Sequence, residues 1–147
     1  MQKAVCLILI LSLLLGSPVL AATKSIGKDK VNLRTGPGLD YSIIFQAPLG
    51  YPVHIKCEKG KWLNLVDWYG NKGWVYRPLV SDVKTAVVLV VNANIRCAPS
   101  TADKVVKTAH RGEIYRVLDE RSKWVKVGYY HEGTPIGWIQ SDLVFGE

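Results

Sequence analysis

The chain is poor in the residues from which most active sites and metal sites are built. It has three cysteines and three histidines among 147 residues. Cys6 falls within an apolar N-terminal stretch, which leaves Cys57 and Cys97, and neither has a histidine beside it to make a zinc site. His54, His110 and His131 are scattered, and none stands in a signature with Cys, Asp or Glu that would identify a general acid or base. Asp119 and Glu120 are neighbours in a charged turn and point apart, so they do not form the carboxylate pair of a glycosidase. No glycine-rich loop follows a strand and opens a helix to hold phosphate. These absences point to a non-catalytic chain that needs no cofactor and no metal.

Long apolar runs are also missing after the first 22 residues. Residues 5–15 are almost wholly apolar, sit behind Lys3 and lead to small residues, with Val19-Leu20-Ala21 or Leu20-Ala21-Ala22 as the peptidase site. This layout predicts a secretory signal peptide over residues 1–22, since the run falls short of the roughly 20 residues of a spanning helix. An uncleaved anchor is the alternative. Cys6 stands at the head of the apolar run, with most of it still to follow, and is too early for lipoprotein processing. The expectation is an exported protein, periplasmic or extracellular at the cell wall, with no stable membrane anchor after cleavage.

Acidic residues are outnumbered. The full chain carries +7, and loss of Lys3 with the signal peptide leaves +6, spread over both halves. Such a surface favours anionic partners, namely cell-wall polymers, anionic lipid or nucleic acid, unless it serves solubility alone. Export argues against nucleic acid. An oxidising compartment would allow Cys57 and Cys97 to pair, closing a loop worth on the order of 3–4 kcal/mol. The competing reading makes Cys57 a small buried hydrophobe, because it alternates with Val53 and Ile55.

What the chain does have is a repeat. Asn32-Leu33-Arg34-Thr35-Gly36-Pro37-Gly38 returns 62 residues later as Asn94-Ile95-Arg96-Cys97-Ala98-Pro99-Ser100. The same offset carries Gly50 onto Gly112 and Trp62 onto Trp124; an offset of 64 carries Gly73-Trp74-Val75 onto Gly137-Trp138-Ile139 and Leu79-Val80 onto Leu143-Val144. One small unit therefore occurs twice, over residues 23–82 and 83–147. Neither copy has a convincing helical pattern. Short β-branched or alternating runs separated by Gly, Pro and charged turns predict five or six strands per unit, an all-β barrel or sandwich with a marginal core. Residues 86–91 read as a buried strand. Alternation sets Leu63 and Leu65 on one face of a strand with Trp62 and Asn64 on the other, and sets Trp124 and Lys126 against Val125 and Val127. The link at residues 81–85 is short, so the two units are expected to lie close together.

The ordered series Asn-Leu/Ile-Arg, a Pro-containing loop, Gly before a β-branched strand, Trp, Gly-Trp-Val/Ile and Leu-Val resembles the bacterial SH3 domain in both copies. The resemblance implies two tandem small SH3-like β-barrels, of the kind that accompany exported cell-wall hydrolases and target peptidoglycan. It also implies that Trp62 and Trp124 line ligand grooves. Leu79 and Leu143 stand where eukaryotic SH3 domains place a groove tyrosine. The segments 34–38 and 96–100 are basic or neutral, which departs from the acidic loop of a Pro-rich peptide binder. Trp68, Tyr69, Tyr129 and Tyr130 are further candidates: their rings could stack on sugar or cover a stem peptide, or could instead pack the barrel ends and the contact between units. Lys72 and Lys126 could meet peptide carboxylates. Arg34 and Arg96 either meet ligand or bond backbone carbonyls of their loops, and Trp74 and Trp138 read as structural. The expected partner is peptidoglycan or a cell-wall peptide; the alternative is an envelope protein that this chain recruits or helps to assemble.

Overall fold

The computed structural model describes residues 22–147; the signal-peptide reading falls on residues outside that range. The first unit comprises β1 (Ala22–Ile26), β2 (Val31–Arg34), β3 (Ile43–Ala47), β4 (Pro52–Lys59), β5 (Trp62–Val66), β6 (Lys72–Tyr76), a 3-10 turn (Arg77–Leu79) and β7 (Val80–Ser81). The second repeats this as β8 (Thr85–Val88), β9 (Asn92–Arg96), β10 (Val105–His110), β11 (Ile114–Arg121), β12 (Trp124–Gly128), β13 (Pro135–Gln140), a 3-10 turn (Ser141–Leu143) and β14 (Val144–Phe145). Each unit is one seven-stranded antiparallel sheet with the same order, β3-β2-β6-β5-β4-β1-β7 and β10-β9-β13-β12-β11-β8-β14. The count exceeds five or six because the two-residue strands after each 3-10 turn pair back onto β1 and β8.

The repeat is visible in the cores. Leu33, Leu63, Leu65 and Val75 of the first unit are buried, as are their counterparts Ile95, Val125, Val127 and Ile139. Each such side chain gains about 1.5–3 kcal/mol from leaving water, and a unit of this size depends on nearly all of them. The long strand β4 bends to pair with β1 through its first half and with β5 through the rest. A bulge between Ile55 and Cys57 accompanies the bend, and β11 has one at the matching place, between Val117 and Asp119.

That bulge corrects the reading of Cys57 as a small buried hydrophobe. One extra residue breaks the alternation from Val53 and Ile55, so Cys57 faces solvent rather than the core. Cys97 is also exposed, and both thiols are free. Cys57 lies in the outer half of β4, and Cys97 follows β9 in the other sheet.

Two glycine pairs explain their own recurrence. Gly50 and Gly112 take φ of 78° and 88°, and their amides donate to Ile26 and Val88 at 2.7 and 2.9 Å. A side chain there would strain a left-handed turn. Gly137 passes so close to Arg96 that a Cβ would lie 2.3 Å from its carbonyl oxygen, with Gly73 and Arg34 in the same relation at 3.4 Å.

The units pack on one another. The buried Thr85 hydroxyl donates to the Gly50 carbonyl at 2.6 Å. His54 stacks on Phe145 with ring centroids 4.3 Å apart. Ile114 packs against the first core, Tyr130 lies over Gly50, and the Arg111 guanidinium sits 5.7 Å from the Trp68 ring centroid.

Candidate binding groove

Strand β5 opens at Trp62, with Leu63 and Leu65 turned into the core, so the indole stays half-buried on the other face. Tyr76 ends β6 directly opposite it in the ladder, and the two rings meet at 5.7 Å with planes inclined by 55°. Beside this pair lies a cleft of about 260 Å3 between Val31, Asn32, Leu79 and the turn Lys28-Asp29-Lys30, with Arg34 and Leu39 at its edge. A second, broader hollow of about 590 Å3 adjoins it, lined by Leu39, Asp40, Trp62 and Tyr76. Leu39, Trp62 and Tyr76 line both, so the aromatic pair forms the ridge of one continuous groove.

Arg34 holds the loop that supplies Leu39 and Asp40. Its Nη1 donates to the carbonyls of Leu39 and Tyr41 at 3.1 and 2.9 Å. Arg96 does the same work in the second unit, donating to the Asp103 carbonyl at 2.8 Å. Both arginines thus act on backbone, and Arg34 also borders the groove.

The second unit has no matching aromatic pair. Trp124 is half-buried, and the residue opposite it is Gln140 rather than a tyrosine. The neighbouring Trp138 is buried and overlaid by Arg121 and Lys126, 5.2 and 5.9 Å from its ring centroid. Leu143, the counterpart of Leu79, packs on the second core.

The remaining aromatic candidates lie at the hairpin ends and the seam. Trp68 packs on the first core, with its Nε1 finding no acceptor among the described residues. Tyr69 is 64% exposed and lies against Trp68 with centroids 3.8 Å apart. Their hairpin is held by the buried Asp67 carboxylate. Its Oδ1 accepts from the Tyr69 and Asn71 amides at 2.9 and 2.8 Å, and its Oδ2 from the Tyr51 hydroxyl and Asn71 Nδ2 at 3.1 and 2.9 Å. Burial, then the Asp67 charge, pushes the Tyr51 hydroxyl well above the usual tyrosine range. In the second unit burial and a hydrogen bond to Glu113 do the same to Tyr115. Tyr129 is 53% exposed, whereas Tyr130 is taken up by the contact over Gly50 and an edge-on contact with His131.

The eight predicted binding residues therefore divide. Trp62 and Arg34 meet at the groove, Trp124 and Arg96 occupy the equivalent but unpaired place, and Trp68, Tyr69, Tyr129 and Tyr130 belong to the hairpin ends. Lys72 is exposed at the start of β6. Tyr76, Leu39, Asp40, Lys28 and Lys30 escaped sequence reasoning. Tyr76 had a signal: it alternates with Trp74 on β6, as Trp62 does with Asn64 on β5. The histidines stay apart. His54 stacks on Phe145, with burial and then Lys56 holding its ring below the usual histidine range. His110 Nδ1 lies 2.9 Å from Asn92 Oδ1. Among the described residues no three His, Cys, Asp or Glu side chains converge on a metal position.

Residues 27–82 match one family model described as a bacterial SH3 domain, and residues 91–145 match a second with the same description. A protein of Bacillus subtilis (strain 168) named "Putative N-acetylmuramoyl-L-alanine amidase YrvJ" is 30% identical over 130 residues, covering 81% of this chain and 24% of that protein. The "Probable cell wall amidase LytH" of Staphylococcus epidermidis is 33% identical over 61 residues, 41% of this chain and 21% of that protein. The chain thus spans about a quarter of the length of the curated relatives it matches. Among solved structures, that of NlpC2 from Trichomonas vaginalis superposes with a TM-score of 0.39 at 18% identity, over 87% of this chain and 49% of that one.

Proposed function

Because the chain belongs to the bacterial SH3 domain family and carries two such domains in tandem, we propose that it is an exported, non-catalytic binding protein that holds a peptidoglycan peptide in the groove of its first unit. The observation that carries this reading is the open Trp62–Tyr76 pair, whose rings line both adjoining hollows. Aromatic faces of this kind supply contact area at small entropic cost. Two further facts support the cell wall as the source of the ligand: the relatives are named as amidases, one of them of the cell wall, and the chain is basic, as suits an anionic polymer.

The test is co-sedimentation with purified peptidoglycan sacculi at low and moderate salt. Saturable pelleting that persists at moderate salt is expected. Trp62→Ala and Tyr76→Ala should each weaken it by about 1–3 kcal/mol, or roughly 5- to 150-fold, while Trp124→Ala changes it little. Pelleting that vanishes with modest salt would reduce the interaction to charge alone, and no pelleting at either salt overturns the reading. Incubated sacculi should release neither amino groups nor reducing ends above background.

A second reading, an envelope factor that recruits a partner protein, is favoured by one feature. Leu39, Tyr41, Ile43, Ile44 and Phe45 are all exposed along and before the edge strand β3, with Leu39 at 76% and Ile43 at 50%. An uncharged, apolar edge strand can accept an added strand from another chain.

A further inference from the structure

The groove is not electrically uniform, and its two ends differ in sign. The broader hollow carries one charged side chain, Asp40, next to the Trp62 and Tyr76 rings. The narrower cleft carries Lys28 and Lys30 with Asp29 between them and Arg34 at its edge, three cations against one anion. None of these five charged side chains makes an ion pair among the described residues. Arg34 donates to the Leu39 and Tyr41 carbonyls on either side of Asp40, which fixes the loop that presents the carboxylate without pairing with it.

Resting on the peptide-binding reading, we propose that the occupant is a dipolar wall peptide with an unacylated primary amine, and that the amine sits in the hollow beside Asp40. An ammonium there meets a carboxylate and the negative faces of two rings together, the combination that favours a cation over a neutral group. The peptide carboxylate then points across the ridge toward Lys28 and Lys30, and the intervening apolar stem lies on Leu39, Trp62 and Tyr76. An acylated amine would present a neutral amide to Asp40 and lose both contributions. The first unit therefore selects wall peptides whose amine has not been consumed in a cross-link.

The experiment compares native sacculi with sacculi whose free amines have been acetylated with acetic anhydride, both at moderate salt. Acetylation removes positive charge and makes the wall more anionic. Adhesion of a basic protein by net charge alone would strengthen, whereas recognition of the amine must weaken. A three- to tenfold loss of binding on acetylation is expected for the native protein. Asp40→Asn should bind native sacculi three- to tenfold less tightly and no longer distinguish the two preparations. Lys28→Ala with Lys30→Ala should weaken binding to both preparations alike.

Equal or tighter binding to acetylated sacculi would overturn the inference while leaving the groove reading intact. An Asp40→Asn protein that still discriminates would overturn it as well, since the amine would be read elsewhere. Failure of the native protein to bind either preparation would sink the groove reading itself. Asp40 is exposed in a loop, so a melting temperature equal to that of the native chain shows that the variant is folded.

Discussion

Replacing Asp67 is the sharpest perturbation of the first unit, because one carboxylate serves four donors. Asp67 is 2% exposed and accepts the Tyr69 and Asn71 amides, the Tyr51 hydroxyl and Asn71 Nδ2. Asp67→Ala strips all four. The amides of the exposed Tyr69 and Asn71 can turn to water, but the Tyr51 hydroxyl is buried, and an orphaned buried donor costs about 1–3 kcal/mol. With the lost charge-assisted bonds the whole penalty should be about 3 kcal/mol, a fall in melting temperature of about 12 °C at the low end of the scale for small domains. Asp67→Asn separates the parts. Its carbonyl keeps the two backbone donors, while its amide can donate to the Tyr51 oxygen but no longer accepts from the hydroxyl or from Asn71 Nδ2, for a cost of about 1–2 kcal/mol. Scanning calorimetry on the native chain and both variants at neutral pH measures the difference. If alanine and asparagine destabilise equally, or alanine costs under about 1 kcal/mol, the carboxylate does not organise the hairpin and the reasoning fails.

Four more outcomes follow from the same geometry. Tyr51 and Tyr115 are both raised above the ordinary tyrosine value of 10.0, chiefly by burial; their contribution is intact below that value and is lost as pH climbs toward the folded-state values, so Tyr51→Phe with Tyr115→Phe should flatten the alkaline limb of a stability profile above about pH 10. Arg34→Ala frees residues 35–42, which should speed hydrogen exchange across that loop and weaken sacculus binding without touching the rings. Cys57→Ser with Cys97→Ser should leave the unfolding free energy within about 0.5 kcal/mol of the native chain, with or without reductant. Thr85→Val leaves the Gly50 carbonyl without its donor and should cost about 1–3 kcal/mol in chemical denaturation.

The repeat made most of the fold legible. Leu33 and Ile95, Leu63 and Val125, and the recurrent Gly50 and Gly112 all occupy the places their spacing implied, because period-2 alternation and positive-φ turns are local physics. Cys57 misled for an equally local reason: a bulge is one unpaired residue, and nothing in Val53, Ile55 and Cys57 marks where the alternation slips. The site was legible by halves. Trp62 could be set on the open face from its own strand, but Tyr76 joins it only through the β5–β6 register, and Asp40 and Lys28 arrive on loops from distant parts of the sequence. Repetition does not extend to the aromatic pair. Trp62 and Trp124 match in sequence, yet their ladder partners, Tyr76 and Gln140, do not.

The seam shows why the second unit matters although it lacks the aromatic pair. Trp68 and Tyr130 are repeat equivalents, and each reaches across: Trp68 lies beneath Arg111 of the second unit, and Tyr130 lies over Gly50 of the first. That reciprocity is the signature of an isologous contact, here between two copies within one chain. The symmetry is then broken by one-sided additions, the Thr85 to Gly50 hydrogen bond, the His54–Phe145 stack and Ile114 against the first core. A unit of some 60 residues buries too little surface to be robust alone, so apolar contact lent by the second unit completes the first. Ligand binding in the Trp62–Tyr76 groove should therefore stabilise both sheets together. A saturating wall peptide would shift one common unfolding transition by RT ln(1 + [L]/Kd), about 2.7 kcal/mol at a hundredfold excess over Kd. Two transitions, with only the first moving, would show that the seam does not couple the units.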